Sequence, residues 1–539
     1  PVSKVVPFSL KDAPSLIEKV FPAQKVSVET KREFDAHGAQ TLTPLGSYWK
    51  GRKRLVYVRA CALAAILPAT GDDLNDLAIL DLLMGMSDQQ IRIRLKYDLT
   101  VEDIRKYGTE NEIENLVDKN NDKISKSISP DEKIMILSTI ISRMPYQERV
   151  NRLLRPEEIA ESDLTGGYID VINSHYGTCA RDIFELIEQI GVMRFGRKPI
   201  IGDTFSGSGS IPFESARLGF DVYASDLNPI ACLLTWGALN VVGSDAATYQ
   251  KIVRAQKELS KRVDSQISDM GIEHDAQGNR AKAYFYCVEV RCPKTGWFVP
   301  LAQSWVISRN QRTVAILEPS YSEKRYIIKI KIDASDAEID FAERGTFIDG
   351  NVIHTLDGET YSTPIKIIRG DRKGEGGENI NDLRRWGRSD FVPRPDDIFQ
   401  ERLYCIQWMK KETLHKRNPE TYFASVAKED LDRERVVEDI VRKNIAAWQD
   451  AGLIPDMLIE PGKNTSQPIW ERGWTYWHHL FNARHLVIGA TVLKNIQLEA
   501  DFHVRGALYI GFARSLNYMS KLTQWMVRKP TPKKPADVV

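Results

Sequence analysis

The chain has 539 residues, 42% of them hydrophobic and 27% charged, which is the balance of a folded soluble protein and excludes a disordered one. Its length predicts roughly two to four folded units, and no apolar run reaches the roughly 18 residues that a membrane span needs. A formal net charge of +1 excludes a global field drawing the protein onto nucleic acid, and six cysteines in so long a chain predict a reducing, cytoplasmic setting without a disulfide framework.

The opening "PVSKVVPFSLKDAPSL" lacks the basic, apolar and small-residue order of a signal peptide. Residues 1–70 combine loop with an apolar helix, "RLVYVRACALAAILPA". Residues 71–160 read as a helical insertion with charged linkers. Within 161–280, the helix "ARDIFELIEQIGV" leads into "GDTFSGSGSIPFESARLGFDVYASDLNP", and a long polar-faced helix follows over Asp245–Ile272. Residues 281–375 turn to strands: "AKAYFYCVEV", "QRTVAILEP", "KRYIIKIKID" and "ETYSTPIKIIR". Residues 371–427, rich in Gly, Pro and Arg, are expected to be irregular, and 376–539 forms a target-recognition and helical region. A helix, "KEDLDRERVVEDIVRKNIAAWQDAG", then ends at Gly452, and further helix follows the aromatic segment "PIWERGWTYWHHLFNARHLV". Three basic clusters, Lys50–Arg54, Asp382–Arg388 and Arg528–Pro535, read as solvated faces or as parts of a DNA-binding groove.

The stretch from Gly202 to Pro229 carries the clearest chemistry. "PIIGDTF" is a strand with Asp203 near its end, and Gly207 and Gly209 let the backbone approach a ligand closely. A short helix and a second strand follow, and Asp226 lies 17 residues after Gly209, where it can accept hydrogen bonds from ribose hydroxyls. A dinucleotide fingerprint would have a third glycine where Pro212 stands. Asp203-x-Phe205-x-Gly207-x-Gly209 instead fits the S-adenosylmethionine loop of methyltransferases, with structural and dinucleotide readings as the alternatives.

This stretch resembles the first cofactor motif of amino-methylating DNA methyltransferases. More specifically, it is similar to the adenine-specific DNA methylases with a zinc-ribbon insert, the domain-of-unknown-function-1156 family, associated with bacterial anti-phage islands. "FPAQKVSVETKRE", "YWKGRKRLVYVRA", "WGRSDFVPRPDDIF", "RGWTYWHHLFNARHLV" and "SLNYMSKLTQW" carry the resemblance along most of the chain. It implies an α/β fold: an incomplete Rossmann-like S-adenosylmethionine-dependent methyltransferase core, a helical N-terminal insertion, and a β-rich degenerate zinc-ribbon and target-recognition insert. Within "YWKGRKRL", Trp49 and Lys53 have the spacing of a second cofactor motif, which implies an aromatic wall and a cation near the cofactor's carboxylate; a basic helix start on an exposed face is the other reading.

Two departures from the family stand out. A zinc ribbon needs four ligands, whereas here Cys287 and Cys292 are followed by no cysteine until Cys405, with His354 as a lone extra candidate. No metal is therefore expected. The family's Asp/Asn-Pro-Pro-aromatic tetrapeptide, which would present a flipped adenine, is also missing, for no Pro-Pro pair occurs in the chain. "EPSY" (Glu318–Tyr321) is the nearest string and reads as a turn. Only two strands of a doubly wound sheet are legible, which predicts a cropped or split chain, a partner completing the core, or a further strand at "HLVIGATVL". His478 and His479, adjacent among aromatics, read as packing or base-stacking residues and not as ligands.

The expected function is a DNA adenine N6-methyltransferase, or its cofactor-binding and target-recognition part, acting on double-stranded DNA. The alternative is a non-catalytic DNA-binding module of a defence complex that senses self DNA or anchors an ATPase, helicase or nuclease partner.

Overall fold

The computed structural model describes residues 5–36, 49, 51–96, 98–118, 123–124, 128–523, 525 and 527. Lys50 and the basic cluster Arg528–Pro535 lie outside the described residues. The fold is mixed α/β, in two compact units, Pro1–Gln250 and Lys251–Val539. Among the described residues no single helix is long and apolar enough to cross a membrane.

In the first unit the helix Leu55–Ile66 is apolar on nearly every side and is accordingly buried. It packs with the helix Ile183–Phe195 around Leu63, Leu80, Leu83, Ile172, Leu186 and Ile190. The Ile183–Phe195 helix starts at Asp182, whose side chain accepts the Glu185 N–H, and stops at Gly196 in the left-handed conformation. Residues 71–160 are mostly helical, with their own core around Ile104, Leu116, Leu137, Ile140 and Ile141.

The strands Ile200–Asp203 and Asp221–Ala224 then pair in parallel, with the helix Ser210–Arg217 between them in sequence. Their side chains alternate: Ile201 and Val222 join the helical core, while Ile200 (56% exposed) and Tyr223 (61%) face away from it. Among the described residues this sheet has two strands. "HLVIGATVL", the candidate for another, lies within the helix Ala483–Gln497. Asn482 caps that helix by accepting the His485 N–H, and Ala483, Leu486, Val487 and Ala490 fall at helical spacing on the core face.

The second unit is built on a seven-stranded sheet. Its order is Thr421–Ser425, Phe399–Met409, Arg280–Arg291, Phe298–Leu301, Arg325–Lys331, Thr313–Ser320 and Val306–Ser308. All neighbours are antiparallel except Phe298–Leu301 and Arg325–Lys331. A smaller sheet joins Phe347–Ile348, Asn351–Leu356 and Glu359–Pro364.

Three expectations are corrected here. The stretch to residue 427 is not wholly irregular, because Phe399–Met409 is an 11-residue strand paired along its length with Arg280–Arg291. The segment "ETYSTPIKIIR" is strand only to Pro364; proline has no N–H to extend a ladder and its φ suits a helix start, so Ile365–Arg369 is helical. "EPSY" is not a turn. Glu318, Pro319 and Ser320 pair with Ile327, Tyr326 and Arg325 at the end of a strand.

Candidate cofactor site

The site is assembled by turns that follow from short polar side chains. At the end of the first parallel strand, Asp203 Oδ1 accepts the Phe205 N–H at 3.1 Å, and at the end of the second, Asp226 Oδ1 accepts the Asn228 N–H at 2.8 Å. Asn228 Oδ1 in turn accepts the Ile230 N–H at 2.9 Å and opens the helix Pro229–Gly237. The ladder continues past the strands, from Ser225 N–H to Asp203 O (3.0 Å) and from Ser206 N–H to Ser225 O (3.1 Å).

Neither glycine of the loop has room for a side chain. Gly207 has φ +54°, and a Cβ there would lie 2.7 Å from the indole Nε1 of Trp49. Gly209 has φ +76°, and a Cβ there would lie 2.8 Å from the backbone Cα of Thr235. Thr235 also holds the loop from below, its hydroxyl donating to Ser206 Oγ at 3.0 Å.

The two halves of the motif meet at Asp226. Its Oδ2 accepts the Gly207 N–H at 2.9 Å while Oδ1 holds Asn228. Those amides, Asn228 first and then Gly207, keep the Asp226 carboxyl below the usual carboxylate range. Each oxygen retains a lone pair for a further donor. The arrangement offers a fixed anion and an indole packed beside it on the loop.

Trp49, Gly207 and Asp226 are thus brought together. Asp203 lies at the strand end preceding the same loop, but the Phe205 ring points outward and is 84% exposed. Lys53 is exposed just before the helix Leu55–Ile66, and no hydrogen bond or ion pair among the described residues joins it to the loop.

A buried ionic network behind the loop was not legible in the sequence. Arg59 donates to both oxygens of Glu161 at 2.7 Å and to Leu83 O, and lies 3.6 Å from Glu214 on the loop's helix. Arg217 pairs with the other Glu214 oxygen at 2.7 Å. Burial pushes the Glu214 carboxyl up, against the pull of Arg217 and Arg59. With Leu55 packed in one cluster with Phe213 and Ala238, this network ties the helix after Trp49 to the loop's own helix.

In the second unit, three segments that carry the family resemblance converge. His479 Nδ1 accepts the Thr475 and Tyr476 amides (3.1 and 3.2 Å), which leaves Nε2 protonated to donate to Gly387 O at 3.0 Å. His478 Nε2 donates to Asp390 O at 3.0 Å, and Lys521 lies over the rings of Trp386 and Trp474. Both histidines are fully buried, so of their two readings the structure supports packing and not base stacking. Arg384 is held by both oxygens of Asp397 at 2.7 Å and by Asp390, so part of the Asp382–Arg388 cluster is internally neutralised.

The model of a family described as a protein of unknown function (DUF1156) matches residues 20–81. The matched stretch contains Trp49, Lys53 and the helix Leu55–Ile66, and it supports the domain-of-unknown-function family as the one this chain resembles. No curated protein matches the chain, nor does any solved structure.

Proposed function

We propose that this chain is the cofactor-binding and target-recognition part of an S-adenosylmethionine-dependent DNA adenine N6-methyltransferase, working in the cytoplasm within a bacterial anti-phage defence system. The observation that carries the reading is the junction of Gly207, Asp226 and Trp49 at the ends of two parallel strands. Such a junction suits a nucleoside: Asp226 for the ribose hydroxyls and Trp49 as the aromatic wall, with Gly207 and Gly209 letting the loop pack against Trp49 and Thr235. Asp203 would receive the cofactor's amino group, and Lys53 its carboxylate. When bound, S-adenosylmethionine supplies an activated sulfonium methyl group.

The chain's own contribution is position and electrostatics. Presenting the adenine amine falls to another polypeptide segment, since no Pro-Pro tetrapeptide occurs in these 539 residues. In the same reading that segment completes the sheet whose outward face carries Ile200 and Tyr223.

The same absence favours a second reading, a non-catalytic module that binds DNA, with or without the cofactor, to sense self DNA or to anchor a partner within a defence complex. Methyl transfer from labelled S-adenosylmethionine to unmodified DNA separates the two, assayed with the chain alone and with its co-encoded proteins. Transfer that requires the co-encoded proteins supports the enzyme reading. Cofactor binding without transfer in either assay supports the second, and no cofactor binding at all overturns the enzyme reading.

A further inference from the structure

The loop Cys292-Pro-Lys-Thr295-Gly296 leaves the long strand Arg280–Arg291 and folds back into Phe298–Leu301. The Gly296 N–H donates to Cys292 O and the Cys292 N–H to Trp297 O, both at 2.8 Å, and Gly296 takes the left-handed conformation that the turn requires. Facing this loop is the hairpin of Asn351–Leu356 and Glu359–Pro364. There Val352 pairs with Thr363 and His354 with Tyr361, so His354 and Thr363 share one face.

Four side chains meet between loop and hairpin. Cys292 Sγ lies 3.7 Å from Thr363 Oγ1, and Thr295 Oγ1 lies 3.3 Å from His354 Nε2. Tyr326 closes the cluster. Its hydroxyl donates to Thr355 O at 3.0 Å and so accepts from His354 Nδ1–H at 3.1 Å, which leaves Nε2 unprotonated and facing the Thr295 hydroxyl. Cys292, His354 and Thr363 are all buried.

Two residues three apart in a tight loop, facing two on a hairpin, form the frame of a four-ligand zinc site. The donor set does not fit the metal. Cys292 and His354 are competent ligands, but Thr295 and Thr363 offer neutral hydroxyls. Among the described residues no three of His, Cys, Asp and Glu come together anywhere to hold a metal. Nor does Cys287 supply a third ligand, for it packs in a core with Phe285, Val306 and Cys405, while Cys292 packs with Trp297, Val299 and Val352.

We infer that this position is a metal-free clasp, in which the hydroxyls of Thr295 and Thr363 stand where two zinc ligands would be and hydrogen bonds join the loop to the hairpin in the metal's place. The thiol still sits in a nest of donors of the kind that orients a metal-bound sulfur. Burial raises it, but the Thr295 hydroxyl, the amides of Thr295 and Lys294 and the Thr363 hydroxyl together hold Cys292 below its ordinary value. The inference stands apart from the proposed methyltransferase reading, since no residue of the glycine loop enters it.

The test uses the whole chain, purified without added metal or chelator. Elemental analysis is expected to find zinc far below one equivalent, and a strong zinc chelator is expected to leave the thermal midpoint unchanged. Zinc near one equivalent, or a midpoint lowered by the chelator, overturns the inference. The double substitution T295C/T363C is expected to take up about one zinc per chain and, with cobalt(II), to show thiolate charge-transfer absorption that the parent chain lacks. A variant that is folded by circular dichroism yet binds neither metal overturns the geometry. Should the double variant not fold, T295C alone supplies a third ligand and is read in the same way.

Discussion

The Gly207 amide donates to Asp226 Oδ2 at 2.9 Å, so the carboxylate proposed to receive a ribose is the same one that holds the glycine loop in place. Removing it acts twice. Asp226→Ala is expected to weaken S-adenosylmethionine binding about 10- to 100-fold, the worth of one charge-assisted hydrogen bond, measured by titration calorimetry. Asp226→Asn keeps one acceptor oxygen and should lose less. Because its amides hold Asp226 below the usual carboxylate range, it stays ionised, and its contribution should be constant from about pH 8 to about pH 5 and fall only at lower pH. Unchanged affinity in D226A would remove Asp226 from the site.

The two loop glycines should differ when replaced by alanine. Each sits at positive φ, a cost of about 1–2 kcal/mol for an L-residue. At Gly207 the new Cβ meets the end of the Trp49 side chain, which can swing away, but at Gly209 it meets the Thr235 backbone, which cannot. G209A should therefore be the more destabilising in urea unfolding, by a further ~1–3 kcal/mol. In a W49A background G207A should cost less than it does alone. An unchanged cost there would mean that Trp49 does not pack on the loop.

How much of this could be read from sequence depends on how local each interaction is. The strand, glycine turn, helix and second strand from Ile200 to Ala224 were legible because alternation, glycine spacing and Asx turns act within a few residues. The strand Phe399–Met409 was hidden by its polar residues, which have distant partners: Arg402 pairs with Glu289, and Glu401 with Lys521. The Thr295 and Thr363 hydroxyls leave no pattern either, because a hydroxyl that replaces a ligand looks like any surface threonine. The resemblance implied only that Trp49 walls a cofactor; its contact with Gly207 depends on how the helix Leu55–Ile66 packs.

That packing rests partly on Arg59, which faces the buried Glu214 and the partly buried Glu161. Arg59→Met should destabilise the first unit by about 3–5 kcal/mol, because the buried Glu214 loses one of its two cations and Glu161 loses its partner. The loss should be smaller at low pH. A buried carboxyl with a raised pKa binds its proton more tightly folded than unfolded, so its penalty appears as pH rises above the ordinary glutamate value. Adding E214Q to R59M should recover part of the loss near neutral pH. Chemical unfolding of the single and double variants at two pH values checks both statements, and a loss that does not vary with pH would mean that Glu214 is not charged in the fold.

His479 gives the second unit a different pH dependence. Its Nδ1 already accepts two amides and its Nε2–H already donates to Gly387 O, so a second ring proton would break the Nδ1 bonds inside the core. Burial, and next the neighbouring His478, lower its pKa from 6.5 to about 3, and burial lowers that of His485 to about 4. The unfolded chain gains protons near pH 6.5 that the folded unit refuses. Stability should therefore be flat above about pH 7 and fall as pH drops from about 6.5 towards 4, by at most about 1.4 kcal/mol per pH unit for each such histidine. His479→Gln, with an amide oxygen to accept and an N–H to donate, keeps much of the bonding but cannot titrate. Its stability in urea unfolding should be lower at pH 7.5 and should decline less steeply to pH about 5 than that of the parent chain. Equal slopes for the two proteins would show that His479 takes its proton in the folded state after all.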